Sequence, residues 1–170
     1  MTRLITEALR NQFDSTLHMA RVLVEVCPKP IWASSYNEVP FWQQVFHYVY
    51  YIDFWMRERY DGSEWRTMIF DDAYTTDLYA ANYEGLFISQ EQMLKYLEAI
   101  QMKTTGIFDN LNDEKLGTSV YNDEPQYTYT DVILGQIRHI MYNIGYLNGI
   151  LRELGLPESD WYAYNEPEGS

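Results

Sequence analysis

Residues 130–155, TDVILGQIRHIMYNIGYLNGILRELG, carry the reading that decides the fold. Ile133, Ile137, Ile140, Ile144, Leu147, Leu151 and Leu154 recur at alternating steps of four and three, which lines one side of an α-helix with an unbroken apolar seam. Thr130 is placed to cap the start, and Asp131 follows in the first turn, where the helix dipole favours a negative charge. Gly155 and Pro157 supply the stop. A seam of this length is buried only against other helices, and three further stretches have the right period.

From Thr2 to Cys27 the apolar residues Ile5, Leu9, Phe13, Leu17, Ala20 and Val24 repeat at three and four, and Pro28 with Pro30 ends the pattern. A second helix is predicted from Pro40 to about Tyr60, apolar over most of its circumference and therefore the most buried. Ser89 followed by Gln92 forms a capping-box signature for a third, from Gln90 to about Asn110. The expected fold class is all-α, a four-helix bundle over residues 1–156. Its connections at Asp61 to Phe87 and Leu111 to Tyr129 far exceed the roughly two to eight residues usual between bundle neighbours, so long crossover connections are expected. Those segments, rich in Tyr and Asp, are expected to be ordered and to cover one end of the bundle. Residues 157–170 hold four acids and no base, and read as an acidic tail whose Trp161, Tyr162 and Tyr164 dock on the body or a partner.

The 170 residues suit one domain with a substantial core, 46% of them being hydrophobic. Twelve Lys+Arg against 25 Asp+Glu leave a net charge of -13, which repels a phosphate backbone and argues against nucleic acid. A single cysteine, Cys27, forms no internal disulfide and fits a reducing, cytoplasmic setting. No apolar run reaches the length of a signal peptide or a membrane span, so no membrane association is expected.

Two of the three histidines fall on helices expected to face the core: His47 in the second and His139 in the fourth. Asn143, one turn after His139, shares its helix face, and side chains at i and i+4 can converge on one cation while a third ligand comes from a neighbouring helix. His47 is the natural third member. On spacing alone, however, a histidine on an inner helix face is more often a hydrogen-bonded core residue than a ligand, and His18, without a partner at helical spacing, is assigned no role. Asp53, six residues after His47 in an otherwise apolar helix, has three open readings: facing solvent, paired with an arginine such as Arg138, or hydrogen-bonded behind a histidine. Tyr48, Tyr50 and Tyr51 either line a ligand pocket or pack in the core, and packing is the commoner use of aromatic residues at this period. No GxSxG, phosphate-binding glycine loop or HExxH occurs.

The segments FWQQVFHYVYYIDFWM (41–56) and IRHIMYNIGYLNGILRELG (137–155) resemble the second and last helices of the DinB-like superfamily, the DinB/YfiT group of four-helix-bundle metalloenzymes. The resemblance extends over nearly the whole chain. It implies His47 and His139 as metal ligands, with the family's third histidine replaced here by Asn143, a neutral amide and a weaker ligand for Zn, Ni or Mn class cations. Asp53, Tyr50 and Arg138 then stand as supporting or pocket residues. An unforeseen residue from the long crossovers would complete the ligand shell if Asn143 does not. The activity implied is that of a metal-dependent hydrolase or a thiol-dependent transferase, acting on a small molecule or thiol, in a protein that forms a homodimer. The rival expectation is a non-catalytic small-molecule-binding or protein-interaction bundle that kept the pocket without the metal.

Overall fold

The computed structural model describes residues 2–58, 60, 67–68, 76–78, 85–121 and 127–162, and these are mostly helical. In chain order they form α1 (Leu4–Val26), α2 (Lys29–Ala33), a hairpin of β1 (Ser35–Tyr36) and β2 (Val39–Pro40), α3 (Phe41–Trp55), α4 (Gln90–Asn110), α5 (Asp113–Leu116) and α6 (Tyr129–Glu153). The described residues are all-α apart from this hairpin and one isolated bridge between Ser119 and Thr128. Of the two segments expected to cover one end, residues 61–66, 69–75, 79–84 and 122–126 lie outside the described residues, as does Tyr164 of the tail.

Helix α1 lies against α4 and α6, and α3 lies against the same two. The side-chain contacts fix their directions. Arg3 at the start of α1 reaches the Phe108 carbonyl at the end of α4, while Gln90 at the start of α4 reaches the Val24 and Cys27 carbonyls, so α1 and α4 are antiparallel. Between α3 and α4, Phe46 meets Tyr96 and Glu58 accepts from Asn110, a parallel pairing. Asn37 donates to Tyr146 and Tyr129 to the Glu58 carbonyl, so α3 and α6 are antiparallel. Parallel neighbours cannot be joined by a tight turn; the chain between α3 and α4 must retrace the roughly 22 Å of a 15-residue helix. The long second connection follows from that.

The helix ends show where local chemistry overrides periodicity. Ser89 and Gln92 form the capping box read from the sequence. The cap of α6, by contrast, is Thr128 rather than Thr130: Thr128 and Asp131 form a reciprocal capping box, and Thr130 donates instead to the Leu116 carbonyl. Helix α3 stops at Trp55, short of the expected Tyr60. A continuing helix would use the Asp53 carbonyl to accept from the Arg57 amide; that carbonyl accepts from Lys103 Nζ at 2.7 Å, and Arg57 bonds to the Trp55 carbonyl instead. The ends of two apolar seams are also not core. Ile5 is 57% exposed, because the first turn of α1 is anchored through Thr6, whose amide and hydroxyl both donate to Asp113. Leu154, the residue after α6, is half exposed, and Gly155 at φ 67 turns the chain away in a Schellman motif closed by the Leu156 amide on the Leu151 carbonyl. Helix α4 has no basic residue in its last turn, and the Arg3 guanidinium fills that role on the carbonyls of Phe108, Asp109 and Leu111.

The chain beyond α6 stays bound for several residues. Ser159 is buried, exchanging two hydrogen bonds with the Asn148 carboxamide and donating its hydroxyl to the Met19 carbonyl. Tyr162 meets His18 edge-on, whereas Trp161 is 71% exposed. No helix among the described residues is long and apolar enough to cross a membrane.

The hairpin was not anticipated from the sequence. Its two-residue turn, Asn37-Glu38, has φ of 51° and 68°, the positive pair that a type I′ turn requires, and Glu38 occupies the position that favours glycine. Glu38→Gly is therefore expected to raise the unfolding free energy by about 0.5–1 kcal/mol in urea titration, relief of the left-handed strain outweighing the added freedom of the unfolded chain.

Candidate functional site

Helices α3 and α6 bring His47 and His139 together from residues 92 apart in sequence, with ring centroids 5.2 Å apart and Nε2 to Nε2 at 3.3 Å. His47 Nδ1 lies 2.8 Å from the Thr76 carbonyl. A carbonyl only accepts, so Nδ1 carries a hydrogen and the neutral ring presents its lone pair at Nε2, toward His139. Burial, and after it the neighbouring His47, holds His139 below the ordinary imidazole range. It is neutral near pH 7, the form in which imidazole binds a metal.

The 3.3 Å separation is within reach of a long hydrogen bond, just beyond the roughly 2.7–3.2 Å range of N–H···O bonds. Two nitrogens each about 2.0–2.1 Å from one Zn²⁺ at a tetrahedral angle are about 3.3–3.4 Å apart. The pair thus has the spacing of two ligands, and the Thr76 carbonyl is the kind of outer partner that orients a ligating imidazole. Tyr51 closes one side, its ring 5.0 Å from that of His47 and 5.7 Å from that of His139.

Asn143 is one turn beyond His139, as expected, and its Nδ2 donates to the His139 carbonyl at 2.8 Å. The carboxamide nitrogen is thereby engaged along its own helix, leaving the oxygen as the atom able to meet a cation. Among the described residues no group of three or more His, Cys, Asp or Glu side chains converges on one point.

The other expected residues lie elsewhere. Asp53 is fully buried, yet neither Arg138 nor a histidine is its partner: Lys103 Nζ meets Oδ1 at 2.7 Å, while Tyr96 Oη and the Thr67 amide each donate to Oδ2 at 2.9 Å. Six residues along a helix turn the side chain by about 600°, which puts Asp53 some 120° away from His47 and toward α4. Burial outweighs the carboxylate's attraction and holds the Lys103 ammonium below the usual lysine range. Arg138 is exposed and lies close enough to Asp131 to help keep that carboxyl acidic, behind the hydrogen bonds from Thr128. Tyr50 packs with Phe46 and stacks on Phe54, so Tyr51 and not Tyr50 is the phenol beside the histidines. Four residues after His47, Tyr51 shares its face, and that spacing was the available signal. Thr76 and Lys103 had none. Cys27 is buried and its thiol pushed up to about 12 by desolvation, which leaves it no nucleophilic role.

The cleft between the hairpin and α6 holds a cavity of about 310 Å³, lined in part by Gln44 and Asn143 but by neither histidine. Comparison of the chain with protein-family models, with curated proteins and with solved structures returned no match.

Proposed function

We propose that this is a DinB-like protein, a four-helix bundle with long crossover connections, in which His47 and His139 hold a divalent cation and Asn143 contributes a weak third ligand beside water. The observation that carries the reading is the 3.3 Å approach of the two imidazole Nε2 atoms, with His47 Nδ1 committed to the Thr76 carbonyl. A bound cation of the Zn, Ni or Mn class would lower the pKa of a water or thiol at this site, the chemistry of a metal-dependent hydrolase or a thiol transferase. What the chain itself supplies is orientation: Thr76 sets the His47 tautomer, α3 and α6 fix the two rings, and Tyr51 shields one side. The same reading makes the protein a cytoplasmic homodimer acting on a small molecule or thiol, in keeping with the exposed Leu134 on α6.

The test is metal content by plasma mass spectrometry on untagged protein, with zinc uptake followed by dialysis. Wild type is expected to take up near-stoichiometric Zn²⁺, and His47→Ala and His139→Ala to lose it. Full stoichiometry in either variant would sink the assignment. The second reading, a non-catalytic small-molecule-binding or protein-interaction bundle, draws on the Asn143 amide being turned back onto its own helix. Its signature is a wild type that takes up none of the three cations.

A further inference from the structure

The cavity is lined by the hairpin, α3, α6 and Leu78; α3 and α6 carry the two histidines, and Leu78 follows the Thr76 carbonyl that meets His47. Gln44 lies three residues before His47, Asn143 four after His139, and Leu78 two after Thr76. The cavity therefore opens about one helical turn from the two imidazoles, along the groove between α3 and α6. The hairpin forms its far wall and is tied down there, Asn37 Nδ2 donating to Tyr146 Oη at 2.7 Å. Asn37 and Glu38 take the left-handed backbone that the two-residue turn requires, and the turn holds Asn37 at this wall.

The chemistry of the lining is uniform. The hydrogen-bonding groups are the phenols of Tyr36, Tyr142 and Tyr146 and the carboxamides of Asn37, Gln44 and Asn143, and none of the described lining residues is charged. Val39 and Leu78 add an apolar surface. The carboxamide nitrogens already donate within the protein, Gln44 to the Tyr36 and Val39 carbonyls, Asn37 to Tyr146 and Asn143 to the His139 carbonyl, so the lining offers mainly amide oxygens as acceptors and phenols that both donate and accept. A formally charged ligand would leave water without a counter-charge, and an anion would also meet the field of a chain of net charge -13. We infer that this cavity binds a neutral ligand with an apolar body and a group, such as a primary amide, that donates to the lining oxygens and accepts from the phenols, and that it is the substrate-binding pocket of the histidine site. Only the second half of that statement rests on the proposed metal function; the binding itself does not.

Benzamide, benzoate and benzamidinium share one shape and differ in charge, and they provide the probe. Each is titrated into chelator-treated full-length protein labelled with ¹⁵N, and the side-chain amide signals of Asn37, Gln44 and Asn143 are followed. Benzamide is expected to shift all three saturably in the millimolar range, ordinary for so small a ligand, with benzoate and benzamidinium at least about tenfold weaker. Tyr146→Phe, which removes the hydroxyl that holds Asn37, is expected to weaken benzamide several-fold while the amide spectrum elsewhere stays folded. Absence of saturable shifts at those three amides overturns the inference. Equal or tighter binding of benzamidinium overturns it too, making the tyrosines a cation cage. Zinc is then added to the same sample and read at the histidine ring signals. Benzamide binding without zinc uptake sinks the metal reading and the substrate role that rests on it but leaves the binding site, and zinc uptake without benzamide binding sinks the pocket alone.

Discussion

Asp53→Ala is expected to lower the unfolding free energy by about 3–5 kcal/mol, the cost of leaving a buried lysine without its partner. The carboxylate is 0% exposed and serves three groups at once: Lys103 from α4, Tyr96 from α4, and Thr67 from the segment that joins α3 to α4. Lys103→Met should cost a similar amount, because both Oδ1 and the main-chain carbonyl of Asp53 lose their donor. The double replacement Asp53→Ala with Lys103→Met is expected to cost less than the sum of the two, since no unpaired charge stays buried, while Tyr96 Oη and the Thr67 amide still lack their acceptor. Urea unfolding of the four proteins gives the comparison directly. Losses that simply add, with no recovery in the double variant, would show that the pair acts through packing and not through charge.

Asn143→His is expected to raise zinc affinity by more than the roughly 10–100-fold that an outer-shell partner is worth, because it adds a ligand and does not merely orient one. The substitution places a second imidazole one turn from His139 on the same face, and removes the amide now bonded to the His139 carbonyl. Isothermal titration with Zn²⁺ measures the gain. A variant that binds no better than wild type would mean that position 143 cannot reach the cation, and the cavity it also lines would then be its whole role.

Helical period made α1, α4 and α6 legible, since a seam at steps of three and four depends on nothing outside the helix. What period could not show were the places where a group from a distant element takes over a backbone atom. Lys103 ends α3 by capturing the Asp53 carbonyl, and Thr128 displaces Thr130 as the cap of α6 because Asp131 can reciprocate only with the residue three before it. The site divides the same way. His47 and His139 were recognisable as rare polar residues on apolar faces, and Tyr51 could have been found four residues from His47. Thr76 was invisible, because it contributes a main-chain carbonyl and any residue type has one. Asp53 was singled out for its isolation among apolar residues, but its rotation by about 120° from His47 directs it to α4.

The pairing of α1 with α4 has a consequence for how the chain acquires its shape. Arg3 bonds to the Phe108 carbonyl across 105 residues, and Gln90 to the Val24 carbonyl across 66, so the apolar face of α1 has no early partner. At synthesis rates of about 5–20 residues per second, α1 leaves the ribosome roughly 5–20 s before the end of α4 exists to cover it. Contacts of such sequence separation place folding toward the slow end for helical proteins. During that interval Phe13, Leu17 and Leu23 stand in water on a nascent helix, which makes α1 the segment where a ribosome-bound chaperone would hold this protein.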